Sequence, residues 1–137
     1  MIMNIVILSL LILSYSLILG IIFAQVLLTA PVVFKVLDDQ NASNFLRKIF
    51  PRYYFLLFLI SLIALLISYL FFEPLFFKLA LASVILSFLG FLIIPFTNFA
   101  KDRGWENLFK WLHNFSVINT IGILIIAITQ IIRAVNL

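Results

Sequence analysis

Residues 53–97 read YYFLLFLISLIALLISYLFFEPLFFKLALASVILSFLGFLIIPFT. Two apolar runs meet at Glu73 and Pro74, and Lys78 is the one other charge among them. Each run is about 20 residues, the length that carries a helix across roughly 30 Å of hydrocarbon. Backbone groups in hydrocarbon must satisfy one another, which selects helices or closed barrels. The period-two alternation of a barrel strand is absent. Phe72, Glu73, Pro74 and Leu75 leave room only for a tight turn, and Pro74 suits the first turn of a helix, where its missing N–H is not needed. The stretch therefore predicts a transmembrane helical hairpin.

Two further apolar runs lie outward of this hairpin. One covers about 5–34 and the other about 112–132, so the expected spans are 5–34, 53–72, 76–97 and 112–132. The first run is far longer than the roughly 7–15 apolar residues of a signal peptide and lacks a basic leader, so it reads as a retained helix. Hydrophobic residues make up 66% of the 137 and charged residues only 10%. A soluble domain carries about 25% charged residues, so this chain has too little polar surface to face water all round. The expected fold is all-α: one polytopic domain, 1–137, forming a four-transmembrane-helix bundle.

The charges are placed unevenly. Lys35, Arg47, Lys48 and Arg52 lie between spans 1 and 2; Lys101, Arg103 and Lys110 lie between spans 3 and 4. Only Lys78 and Arg133 fall on the other side. The positive-inside rule then places both long connections in the cytoplasm and both termini outside, in a bacterial inner membrane. The net charge of +4 sits where anionic headgroups would be, so lipid is the expected partner and nucleic acid is not. Within the first connection, Phe45, Leu46, Ile49 and Phe50 share a helical face opposite Asn44, Arg47 and Lys48. That pattern predicts a short amphipathic interfacial helix, capped by Asp38 or Asp39, with Pro51 either ending it or opening the second span.

Small residues mark candidate packing faces. Ser16, Gly20 and Ala24 recur every four residues in span 1, and Ser83, Ser87 and Gly90 share an arc of span 3 with Ala80. Such rows let helix backbones approach closely in lipid. Tyr54, Ser61 and Ser68 form a seven-residue repeat in span 2. Span 4 carries a polar stripe of His113, Ser116, Asn119, Thr120 and Gln130. Polar groups at that depth need partners inside the bundle. One reading is an inter-helix hydrogen-bond network. The other is a cytoplasm-facing polar cluster built from Gln25, Arg52, Asn98, Asp102, His113, Ser116 and Asn119.

Four short motifs occur in order: APVVFKVL at 30–37, KIFPRYYF at 48–55, Pro95 with Asn98 and Asp102, and Leu112-His113 with Ser116 and Asn119. Together they resemble the TMEM205-like family of four-helix membrane proteins, also called the DUF4149 domain. The resemblance implies four spans and these polar positions, and it implies no activity.

Several function classes find little support. Proton-coupled export needs a mid-membrane acid, and Asp38, Asp39, Glu73, Asp102 and Glu106 all lie outside the expected spans. With one histidine and no cysteine, bis-histidine haem ligation would need two chains, and a zinc site lacks ligands. No Gly-rich phosphate loop is present, and no cofactor is expected. The sequence thus predicts a non-enzymatic membrane protein. Its role is small-solute or ion permeation as a homo-oligomer, or structural and accessory work through partner helices.

Overall fold

The computed structural model describes residues 2–137, the side chains of residues 2 and 3 excepted. Five α-helices run through it: α1 (Ile2–Phe23), α2 (Ala30–Val36), α3 (Asp39–Phe71), α4 (Pro74–Asp102) and α5 (Glu106–Val135). A π-helical segment, Ala24–Thr29, joins α1 to α2 into one continuous first span. Four helical rods are thus long and apolar enough to cross a membrane, and the chain is a multi-pass integral membrane protein.

Backbone approaches follow a ring: α1 packs on α3, α3 on α4, α4 on α5, and α5 on α1. The diagonals, α1 to α4 and α3 to α5, have no close backbone approach among the described residues. The buried faces alternate three- and four-residue steps: Leu11, Tyr15, Ile18, Ile22 and Gln25; Leu57, Ser61, Ala64 and Ser68; Phe76, Ala80, Ser83, Ser87 and Gly90. Asn119, Ile123, Ala127, Gln130 and Ala134 supply the fourth face. A repeat averaging 3.5 residues gives interlocking, slightly tilted helices, and small residues bring α3 and α4 close enough for Ser61 and Ser83 to share a hydrogen bond of 2.9 Å.

The structure corrects the sequence reading in three places. The interfacial helix is not separate: residues 39–50 are the first turns of α3, which passes through Pro51. Proline removes its own N–H from the ladder and crowds the carbonyl four residues back, but these turns are held alongside α4, where Lys101 Nζ donates to the Ser43 hydroxyl at 3.2 Å. At 33 residues α3 is about 50 Å long, well beyond the hydrocarbon thickness, so it projects from the bilayer at the charged end. Its cap is Asp38, whose carboxylate accepts from the Asn41 backbone N–H at 2.8 Å.

Second, the charged connection between spans 3 and 4 is mostly helix. Only Arg103, Gly104 and Trp105 separate α4 from α5. Gly104 takes φ of +68°, a conformation that favours glycine. Its N–H bonds the Lys101 carbonyl, and Trp105 N–H bonds that of Ala100. This pair of bonds closes a helix C-terminus, and Phe99 edge-on to Trp105 adds the apolar contact that accompanies it.

Third, Ser16, Gly20 and Ala24 face away from the bundle and are exposed. The inward face of the first span carries larger residues because Tyr15 and Gln25 both point inward and fix its rotation. Ser83, Ser87 and Gly90, by contrast, are buried in the α3–α4 seam.

Gly90 has a specific reason for lacking a side chain. The Tyr54 ring lies on it so closely that a Cβ would fall inside the ring's van der Waals surface. Gly20 meets nothing. Gly90→Ala should therefore lose about 1–3 kcal/mol of stability through overpacking, and Gly20→Ala should lose little. Unfolding in increasing SDS, or thermal unfolding in mild detergent, measures the difference.

Candidate functional site

Polar side chains cross the bundle interior in two layers. In the layer nearer the 73–74 turn, Gln130 Nε2 donates to the Tyr15 hydroxyl at 3.1 Å and to the Phe76 carbonyl at 2.8 Å. One amide on α5 thereby binds both α1 and α4. Gln130 is fully buried, so these bonds replace water it cannot reach. Just outside, Arg133 pairs with Glu73 and lies over the Phe76 ring at 4.9 Å.

The second layer is closer to the charged end. Tyr15 to Gln25, Gln130 to Thr120 and Phe76 to Leu86 each cover ten residues of sequence, about 15 Å of rise. Gln25, Thr120 and Leu86 therefore share one level. There the Tyr54 hydroxyl shares hydrogen bonds with Ser116 Oγ at 2.8 Å and Thr120 Oγ1 at 2.9 Å. Those bonds span the α3–α5 diagonal, which backbone packing leaves open. Asn119 Nδ2 donates to the Leu86 carbonyl at 2.9 Å, joining α5 to α4.

This layer also holds polar atoms without partners: Gln25 Nε2, the Tyr53 hydroxyl and Asn119 Oδ1. Their residues are only 8%, 6% and 4% exposed. The Tyr53 ring stands edge-on to Tyr54, with its hydroxyl near Thr120. Each orphaned group costs about 1–3 kcal/mol. The other layer leaves Gln130 Oε1 and Ser68 Oγ unmatched. The layer at Gln25 differs in drawing its unmatched groups from three helical rods rather than two, beside a break in regular α-helix.

The expected cluster is thus divided. Gln25, Ser116 and Asn119 lie in or beside the inner layer. Asn98 is half-buried on α4, one turn short of Asp102. Arg52, Asp102 and His113 are exposed. Arg52 donates to its own helix, to the Lys48 carbonyl at 3.0 Å, and His113 stacks on Phe109 with ring centroids 6.1 Å apart. These three do not line an interior cavity: α3, α4 and α5 run past the bilayer and carry them to the surface. Tyr53, Tyr15 and Arg47 were missed as site residues. Tyr53 had one signal, its position beside Tyr54 of the seven-residue repeat.

At the charged end Arg47 meets Asp102 side-on, with both guanidinium Nη atoms on both carboxylate oxygens. A shallow open hollow beside this pair is lined by Asp39, Ser43, Asn44 and Lys101. The Arg47 hydrogen bonds hold the Asp102 carboxyl below its usual value of 3.8, and the same pairing raises Arg47.

Residues 13–106 match the model of a domain of unknown function, DUF4149. The chain belongs to the DUF4149 family. No curated protein and no solved structure matches it. The family match takes in Gln25, Tyr53, Tyr54, Gly90 and Asp102 and ends at Glu106. Ser116, Asn119, Thr120 and Gln130, which complete both polar layers from α5, lie beyond it.

Because Asp102 is depressed in the folded chain, its contribution is present above the usual carboxylate value and is lost as pH falls through the depressed one. Wild-type thermal stability should therefore fall as pH drops below about 5 and on through the depressed Asp102 value. Asp102→Asn should flatten that drop and start from a lower plateau. Melting curves at matched ionic strength check both.

Proposed function

We propose that this protein is a non-enzymatic accessory membrane protein of the TMEM205-like kind that works through helix contacts with a second copy of itself. One observation carries the reading: Ser16, Gly20 and Ala24 form an outward row on the first span, with open space over Gly20. Hydrophobic burial gives little reason for two helices to associate in lipid, and close backbone approach over small residues does. Because each copy carries the same row, a two-fold contact is self-complementary. The polar residues of the spans favour this role over permeation. Tyr54 and Gln130 use their bonds to tie the bundle shut. The basic connections at the charged end support a cytoplasmic location for that end in a bacterial inner membrane, with both termini outside.

The chain has no cysteine, so introduced ones are unique. Ser16→Cys and Gly20→Cys should form disulfide dimers in membranes. Ile63→Cys, on a lipid-exposed face of α3, should not. Adding Gly20→Leu to Ser16→Cys should abolish the dimer. A chain that stays monomeric throughout would defeat the reading, and solute flux through proteoliposomes above that of empty ones would favour permeation instead. Membrane-impermeant thiol labelling of Asn44→Cys and Asn136→Cys from each side of oriented vesicles reads the topology.

A further inference from the structure

The inner layer leaves three buried polar atoms unmatched, and the first span loses regular α-helix at the same level. We infer that the half of the first span beyond α1 is a lateral gate over a seat for the ester region of a phospholipid, formed by Gln25, Tyr53 and Asn119. This inference goes beyond the self-association above and does not depend on it.

The first span supplies the gate. Residues 2–23 lie in the groove between α3 and α5. The π-helical segment then approaches the backbone of none of α3, α4 and α5 among the described residues, and α2 approaches only α3. Val33 is the one buried residue of α2. Pro31 sits in the first turn of α2 and removes one more ladder bond. By backbone approach the span thus parts from α5 at Ala24, one residue before Gln25. Few contacts hold its far half, and a π-helical turn gives it a place to pivot.

The seat's chemistry is neutral. Gln25 Nε2 and the Tyr53 hydroxyl can donate, and Asn119 Oδ1 accepts. No charged side chain shares the layer, so a phosphate or metal ion is a poor match and a carbonyl or hydroxyl a good one. A cation stands on the charged side of it: Arg52 is the residue next to Tyr53 in the direction of the charged end. A phospholipid has this order of groups, an anionic phosphate at the surface and ester carbonyls a few ångströms deeper. The excess of basic residues at this end favours an anionic headgroup.

The test compares two probes on the full chain in mild detergent: diacyl phosphatidylglycerol and its dialkyl ether analogue, which lacks the carbonyls. Native mass spectrometry counts bound lipid. The wild-type chain should retain the diacyl form about fivefold better, the effect of one net neutral hydrogen bond. Gln25→Leu and Tyr53→Phe should each reduce that preference, and Lys78→Gln should leave it intact. Glycerol phosphate without acyl chains should not compete. Equal retention of the two lipids by the wild-type chain overturns the inference without recourse to any variant. So does a preference that survives both substitutions, or competition by glycerol phosphate.

Discussion

Tyr54 reaches across the diagonal that backbone packing leaves open, and much of the bundle is arranged around that reach. Its ring needs the bare backbone of Gly90 beneath it. Its hydroxyl needs Ser116 and Thr120 opposite. A phenol in hydrocarbon has no water to fall back on, so those partners set the rotation of α5 relative to α3. Once α5 is so turned, Asn119 faces α4 and Gln130 faces Tyr15. The two polar layers are consequences of one orientation, about 15 Å apart on the same helix.

The apolar body of the fold was readable directly. Residues 53–97 announce a helical hairpin because lipid admits only helices or closed barrels and the alternation of a barrel strand is absent, and the α3–α4 seam follows from the spacing of small residues. The ends of the helices were harder. Asn98 to Trp111 reads as a linker by composition, yet α4 and α5 continue into it because a three-residue turn at Gly104 suffices to reverse the chain. Residues 39–50 have the pattern of a surface helix, and they form one that is continuous with a span.

The candidate site was legible one helix at a time and not across helices. The α5 stripe was visible as a stripe, since periodicity shows which residues share a face. It cannot show how far a projecting helix carries them from the membrane. His113 and Asn119 therefore belonged to one pattern and ended in different surroundings, one stacked on Phe109 at the surface and the other buried against the Leu86 carbonyl. The row Ser16, Gly20 and Ala24 shows the same limit: small residues can equally face a neighbour within the chain or lie outside it. Tyr15 and Gln130 decide the matter for α1, and their meeting is far apart in sequence.

The π-helical segment has one more effect, on phase. The buried residues Leu11, Ile18 and Gln25 keep a seven-residue beat, and the next in time would be Val32. Val32 is exposed at 57%, and Val33 is buried instead. The segment acts as a one-residue insertion, moving the inward face of the span one position along. Everything after residue 29, including Lys35, is rotated by about 100° from where an uninterrupted helix would present it. Shortening the segment by a single residue would restore the beat and turn Lys35 to a different side of the bundle, which makes that rotation a length-encoded property of the chain.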